Sequence, residues 1–273
     1  MRRGLVASLP VLLAVGLYAF FAASDPTPTT YRTVGLVARA LAAIGCFIGA
    51  AQFDRGDYMR KAWGLLGTAY FVFFLNALIF GAVSHGAQRE ISTSMAITSG
   101  LIVWGGNIAT VLGAVMVARA WKAAGLNLMV KPGTRLAVTV ISVAIGLLVA
   151  GPAAIAALRG LADGQLDSLV RLAACVGDIV TLGVLGPILL TALALRGGSL
   201  AWPWSMIVVG TLGWLFYDGV VSVMTLLQYD RGQVRSLEES LRLFACGSFL
   251  AAGILQRMVV HQAPVSASPA TSA

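Results

Sequence analysis

Residues 136–157 read LAVTVISVAIGLLVAGPAAIAA and contain no charged side chain. At a rise of 1.5 Å per residue, a helix of this length extends about 33 Å, which matches the hydrocarbon core of a bilayer. Barrel strands that cross a membrane need only roughly ten residues and alternate apolar with polar side chains. The stretch therefore predicts a transmembrane helix.

Similar blocks recur along the chain, which is 58% hydrophobic and only 11% charged, with a mean hydropathy of +0.87. A soluble domain of this size needs far more charge on its surface. The sequence predicts an all-α, polytopic integral membrane protein with about eight transmembrane helices in contact with the lipid bilayer. The predicted spans are residues 4–24, 33–53, 63–83, 94–118, 136–157, 169–195, 203–226 and 239–259.

Basic residues gather at the ends of these spans. Segments 54–62 and 119–135, together with Arg2 and Arg3, define one side, whereas the loops on the other side mix acids with bases, as Glu238 and Glu239 do. Because positively charged loops stay in the cytoplasm, we predict a multi-pass membrane protein with both termini cytoplasmic. The net charge of +8 then reflects topology, and no nucleic-acid partner is predicted.

The two ends of the chain differ in character. Arg2 and Arg3 precede an apolar run that ends in Ala22-Ala23-Ser24, a pattern that resembles a cleavable signal peptide. The internal repeat described next favours a retained helix, and both alternatives stay open. The small, polar and Pro-rich residues 261–273 predict a disordered C-terminal tail.

The two halves of the sequence resemble each other. The run from Arg39 to Cys46 aligns with the run from Arg171 to Asp178, and Trp63 and Trp204 begin comparable helices. A unit of four helices crosses the membrane an even number of times, so both copies would point the same way, as in a parallel repeat. We predict a first four-helix repeat in residues 1–130 and a second in residues 131–260.

Polar residues inside the predicted spans are the candidate site. An ionisable group in hydrocarbon costs at least roughly 2.5–3.5 kcal/mol, so each one requires a partner or a function. Asp178 and Asp218 lie at similar predicted depths, about 13 Å below the outer surface, and could share one polar layer. The candidate ligand-binding or intramembrane polar network comprises Asp178, Asp218, Arg171, Arg39, Asn76, Asn107, Tyr217 and Arg242.

Two interpretations of this network stay open. The functional one is a ligand- or proton-responsive pocket open to the outside. The structural one is a set of buried polar pairs that fix helix packing and bind nothing. No metal site, cofactor or catalytic constellation is predicted, because the cysteines lie in apolar runs and the histidines lie outside the spans. We therefore expect a protein that is not an enzyme.

Residues Gly177 to Tyr229 carry a family resemblance. Gly177-Asp178, the run from Arg196 to Trp204 and the pair Gly210 and Asp218 resemble the multi-helix membrane sensor regions N-terminal to bacterial and archaeal histidine kinases and diguanylate cyclases. The cytoplasmic output domain of those proteins is missing from this sequence. The resemblance implies a prokaryotic sensory or regulatory protein that acts through a cytoplasmic signalling protein or a membrane partner. Together with the Ala-, Gly- and Arg-rich composition, it also implies that the protein lies in the cell inner (cytoplasmic) membrane.

Two further functions stay open at this point. Repeated halves and intramembrane acids are also typical of small-molecule or proton-coupled transporters. A membrane scaffold, which only packs against other membrane proteins, is the remaining alternative. A homo-oligomer is compatible with each of the three.

Overall fold

The computed structural model of the protein describes residues 2–24, 26–86, 93–123, 131–165, 167–194, 201–227 and 231–262, and the predicted C-terminal tail lies almost wholly outside them. These residues form eight helices, each long and apolar enough to cross a membrane, so the predicted all-helical membrane protein is confirmed at that level. The helices are α1 (Arg2–Ala23), α2 (Pro28–Ala50), α3 (Tyr58–Gly86), α4 (Thr93–Ala123), α5 (Pro132–Ala162), α6 (Asp167–Ala194), α7 (Ala201–Leu226) and α8 (Arg231–Gln262).

The helix boundaries follow local sequence signals. Pro28 occupies the first turn of α2, and the Thr27 hydroxyl caps that turn by accepting a hydrogen bond from the Thr30 amide. After α5, Gly164 adopts a φ of 79°, a backbone conformation that suits glycine and turns the chain toward α6. Most helices extend beyond the predicted spans, and α8 begins eight positions earlier (239 − 231) than expected.

Six of the helices close into a ring. Neighbouring packing runs α2–α3–α4–α6–α7–α8 and returns from α8 to α2. The other two helices pack outside the ring, α1 against α8 with a small contact on α7, and α5 against α6 and α7. The ring encloses the interior in which the candidate site lies.

The ring has the neighbour pattern that a duplication would produce. Moving three places around it exchanges α2 with α6, α3 with α7 and α4 with α8, and each packed pair maps onto another packed pair. Trp63 and Trp204, which the sequence comparison aligns, contact each other with ring centroids 5.9 Å apart. The outer helices break the pattern, because α5 packs on α6 whereas α1 packs on α8 instead of α2. The four-plus-four repeat therefore stays a prediction.

The tightest contact in the bundle joins α2 to α8 at glycines. A Cβ atom on Gly253 would overlap the backbone carbonyl oxygen of Gly45, and one on Gly45 would lie 2.6 Å from the carbonyl oxygen of Phe249. Glycine pairs of this kind let helix backbones approach closely within membranes. The crossing therefore holds α2 and α8 at a separation that no larger residue permits.

Burial separates α8 from α1. In the most apolar 18-residue window of α8, 61% of the residues are buried, against 11% in that of α1. Helix α1 covers α8 through Pro10, which lies opposite Gly247, and exposes side chains such as Leu5 and Val15. Exposed apolar side chains on a helix long enough to span a membrane form a surface that suits contact with lipid tails, and α1 carries such a surface.

Trp204 corrects one expectation from the sequence. Its position at the start of a span, beside Trp202, is typical of an interfacial anchor. Trp202 is partly exposed, as expected of an anchor, but Trp204 is buried against Trp63 in the main core cluster. Packing between the two halves of the chain therefore explains Trp204 better than anchoring does.

The α2–α8 crossing predicts the effect of one methyl group. Gly253→Ala should lower the free energy of unfolding by at least about 1–3 kcal/mol, because the new Cβ meets backbone that cannot rotate away. Thermal unfolding of the purified protein in detergent measures the change.

Gly105→Ala is the matched control, since it also replaces a glycine inside a helix but places the new Cβ in open space. We expect no loss of stability, or a gain of about 0.4–1 kcal/mol, from this variant. Equal unfolding temperatures for Gly253→Ala and the parent protein would contradict the close crossing.

Candidate functional site

A cavity of about 190 Å³ lies inside the ring and collects most of the polar side chains that the sequence singles out. Its walls come from α2, α3, α4, α6 and α7. Arg242 of α8, with its partners Glu239 and Tyr217, lies next to the cavity. The lining residues are Arg39, Tyr70, Phe73, Asn76, Ala77, Val103, Asn107, Thr110, Ala174, Asp178, Trp214 and Asp218.

These polar residues share one layer of the bundle. Arg39, Asp178 and Arg242 each lie eleven positions beyond the first residue of their helices (39 − 28, 178 − 167 and 242 − 231), and Asp218 lies eight positions before the last residue of α7 (226 − 218). Those separations correspond to depths of roughly 16 Å and 12 Å from the same end of the bundle. The helix lengths alone therefore bring the charges to a common level.

Two acids face each other across the α6–α7 contact. The carboxyl groups of Asp178 and Asp218 lie within hydrogen-bonding range of each other, and both line the cavity. A hydrogen bond between two carboxyl groups requires a proton on one of them. The pair can thus carry a single negative charge and can also hold or release a proton.

Arg39 brings a positive charge to the cavity wall. Its guanidinium donates a 2.9 Å hydrogen bond to the carbonyl oxygen of Gly35, one turn earlier in α2. No carboxylate among the described residues forms an ion pair with it. The missing side chain of Gly35 makes room for the guanidinium, because a Cβ there would lie 3.2 Å from Arg39 Nη1. Arg39 is therefore a partly buried cation that lacks a counter-ion of its own.

Arg242 is compensated, unlike Arg39. Its guanidinium forms an ion pair with Glu239 one turn earlier in α8, donates to the hydroxyl of Tyr217, and lies 4.7 Å from the centre of the Tyr217 ring. Both charged residues are buried, at 4% exposure for Glu239 and 9% for Arg242. The group connects α8 to α7 beside the cavity.

Amide groups supply neutral polar contacts from α3 and α4. The side-chain oxygen of Asn76 accepts a 3.0 Å hydrogen bond from the Ser99 hydroxyl. The Asn107 side-chain nitrogen is buried without a hydrogen-bond partner in the described part of the chain. Because an unsatisfied buried donor costs about 1–3 kcal/mol, this nitrogen is a ready contact for a bound molecule.

Aromatic rings form the rest of the wall. Tyr70 and Trp214 stack with an interplanar angle of 27° and centroids 6.4 Å apart, and Phe73 packs edge-on against Tyr70. All three rings line the same cavity as the acid pair. Aromatic faces beside carboxyl groups are a chemistry that suits organic cations.

The structure thus gathers seven of the eight candidate residues into two adjoining clusters. Asp178, Asp218, Arg39, Asn76 and Asn107 line the cavity, and Tyr217 and Arg242 form the neighbouring ion-pair group. Arg171 differs, because its side chain is exposed about two turns nearer the end of α6 and takes no part in the lining. Spacing of seven on one helix puts two residues on one face but does not decide whether both reach the interior.

Sequence reasoning missed Glu239 and the aromatic wall. Glu239 was expected in a loop of mixed charge, and the early start of α8 instead places it inside the bundle beside Arg242. The spacing of three between Glu239 and Arg242, which suits a helical ion pair, was the available signal. Trp214 lies inside a predicted span, and nothing in the sequence distinguishes a packed ring from a cavity wall.

Metal chemistry has no supporting cluster in the residues that the structure describes. No three His, Cys, Asp or Glu side chains gather there in a way that could hold an ion, and the three cysteines are buried and free. A second, apolar groove of about 440 Å³ lies between α4 and α6 and shares only Asn107 with the polar cavity. The polar cavity is therefore the better candidate site.

Comparisons with known proteins find no match to the chain among protein-family models, curated proteins or solved structures. The function is therefore inferred from the geometry of the site.

The buried ion pair predicts a non-additive stability effect. Glu239→Gln should lower the free energy of unfolding by about 3–5 kcal/mol, because it leaves the buried Arg242 without its paired carboxylate. The double variant Glu239→Gln/Arg242→Gln should lose less than the sum of the two single variants, since it removes one of the cations as well. Thermal or denaturant unfolding in detergent measures the coupling.

Arg257→Gln provides the control, because Arg257 is exposed on the same helix. Its unfolding free energy should stay within about 0.5 kcal/mol of the parent. Strictly additive effects of the Glu239 and Arg242 variants would show that the two side chains do not act as a pair.

Proposed function

We propose that the protein is a membrane-embedded sensory or regulatory protein that binds a small polar ligand in the central cavity and acts through a partner. The observation that carries this proposal is the cavity itself, a space of about 190 Å³ lined by charged and amide side chains inside the ring. A membrane interior offers no water to repay the burial of such groups, so their convergence on one open space favours a binding role over packing alone.

Ligand binding would act on helices from both halves of the ring. The lining residues come from α2 to α4 and from α6 and α7, and the Arg242 group links α7 to α8 beside them. A ligand that prefers one arrangement of these helices shifts the population toward it. Helix α8 continues from Arg242, which lies beside the cavity, to Gln262 near the C-terminus. A shift in α8 would therefore be transmitted to the membrane surface on the C-terminal side.

The partner is proposed at the basic segments of the same surface. Arg55 lies in the exposed loop between α2 and α3, and Arg60 and Lys61 follow in the first turns of α3. The second proposed partner segment, residues 119–135, includes positions outside the described residues. The resemblance of Gly177 to Tyr229 to kinase- and cyclase-linked sensor regions supports a signalling protein as that partner.

A coupled transporter is the second candidate function. One observation favours it: the acid pair of α6 and α7 faces a cavity whose other walls come from α2, α3 and α4. Transporters built from repeated halves bind substrate and coupling ions between the halves near the bilayer midplane. Substrate flux into proteoliposomes that Asp178→Asn and Asp218→Asn abolish would favour transport over sensing.

The orientation in the membrane predicts a labelling pattern. Arg55→Cys should react with a membrane-impermeant maleimide only after cells are opened, whereas Gln165→Cys in the opposite loop should react in intact cells. Both positions are exposed, and the native cysteines are buried, so the parent protein is the unlabelled control. The reverse pattern would place both termini outside the cytoplasm and contradict the proposal.

The ligand proposal predicts that binding depends on the cavity. Parent protein incubated with an extract of polar metabolites should retain a small molecule that mass spectrometry detects. Asp178→Asn should retain at least about tenfold less, since one good charged contact contributes 1.4 kcal/mol or more. Asp163→Asn is the matched control, because this carboxylate is exposed after α5 and should leave retention unchanged.

Affinity capture from native membranes in mild detergent then separates the functions. A signalling protein recovered near stoichiometric yield with the parent, and in changed yield with Asp178→Asn, would support the sensor. Retention of a ligand without any partner would favour the transporter. If no molecule is retained and Asp178→Asn and Asp218→Asn change stability alone, the scaffold interpretation replaces both.

A further inference from the structure

We propose that the ligand of the cavity is a small zwitterion, with its carboxylate on Arg39 and its ammonium group on the Asp178–Asp218 pair. This inference rests on the proposed function, because it requires that the cavity binds a ligand. It adds the chemical class of that ligand.

The anion-binding end is the guanidinium of Arg39. It has one hydrogen bond to its own helix and no ion pair with a carboxylate of the described residues, and both Arg242 and Glu239 lie near it beside Gly35. Glu239 is already paired with Arg242. Arg39 is partly buried, borders the cavity and lies beside another arginine, so it attracts an anion strongly. Its planar guanidinium matches the geometry of a carboxylate.

The cation-binding end is the acid pair. Asp178 and Asp218 come from α6 and α7, whereas Arg39 comes from α2. A pair that shares one proton keeps one negative charge and several acceptor lone pairs, which suit an ammonium group with its three donors. The stacked rings of Tyr70 and Trp214 line the same space, and aromatic rings attract organic cations.

Charge balance selects a zwitterion over a singly charged molecule. Arg39 brings a guanidinium to the cavity wall, and Asp178 and Asp218 bring two carboxyl groups to the same cavity. A simple amine would leave the guanidinium uncompensated, and a simple carboxylate would face the acid pair. A molecule that carries both charges compensates both ends, which is the condition for burying charges at low cost.

Size and neutral contacts narrow the class further. An engineered cavity of about 150 Å³ holds benzene, so a cavity of about 190 Å³ suits a molecule of roughly six to ten non-hydrogen atoms. The unpartnered amide nitrogen of Asn107 can donate to a ligand oxygen. These limits fit an α-amino acid with a short or medium side chain, or a betaine of similar size.

The experiment measures binding to purified full-length protein in lipid nanodiscs, by isothermal titration or thermal stabilisation. The probes are the common L-amino acids and glycine betaine, with isobutylamine and isovalerate as the amine-only and carboxylate-only analogues of valine. At least one zwitterion should bind, and it should bind at least about tenfold more tightly than its two singly charged analogues.

Variants assign the two ends. Arg39→Gln should weaken the zwitterion at least about tenfold and leave a weakly bound amine unaffected, whereas Asp178→Asn should weaken zwitterion and amine alike. Arg257→Gln, an exposed cation of α8, should change neither. If Arg39→Gln does not fold, Arg39→Lys tests the same contact, since it keeps the charge but loses the two-pronged geometry.

The outcomes separate this inference from the function on which it rests. The inference is overturned if an amine or a carboxylate binds as tightly as the zwitterion of which it is an analogue. It is also overturned if the ligand recovered from the metabolite extract, in a way that depends on Asp178, is singly charged or neutral. In both cases the cavity still binds a ligand, so the proposed function stands. Absence of any bound molecule, from the probes and from the extract, overturns both.

Discussion

The backbone contact between Gly45 of α2 and Gly253 of α8 is the constraint on which the rest of the bundle depends. It brings two parallel helices closer than any side chain would permit, and so Arg242 of α8 and Arg39 of α2 meet above Gly35. The close approach also lets α8 contact α1, α2 and α7 together, which makes it the most enclosed helix.

Closing the ring confines several charges in a space that offers little water. The two arginines differ in their partners. Arg242 forms an ion pair with Glu239 and donates a hydrogen bond to the Tyr217 hydroxyl, whereas Arg39 donates to one backbone carbonyl and lines the cavity. The acids differ in a similar way, since Glu239 forms an ion pair with Arg242, whereas Asp178 and Asp218 line the cavity. Packing alone would favour compensating every charge within the protein. The charges left at the cavity wall are the physical reason for proposing a ligand.

The ring helices and the two outer helices have different positions in the bundle, since the ring encloses the cavity and α1 and α5 pack on its outside. The ring helices supply the polar interior and follow a neighbour pattern with twofold character, whereas α1 and α5 cover different parts of its outer surface. A cavity between two sets of three helices can change shape when the sets shift against each other. Sensing and transport both use such a shift, and they differ in whether the ligand crosses the membrane or a partner responds.

The sequence by itself determined the class of protein, the number of helices and most polar candidates. Apolar blocks of about twenty residues can only be spanning helices, and charged residues inside them are conspicuous because they are rare. Tertiary structure alone decided which candidates meet. Arg39 and Arg171 are equivalent in the sequence comparison, yet only Arg39 lines the cavity. Glu239 joins the site although the sequence analysis placed it in a loop, and Trp214 joins it although no sequence signal marked it. Helical periodicity gives the relative faces of residues on one helix, but the close approach of α2 and α8 and the order of helices around the ring come from packing between distant segments.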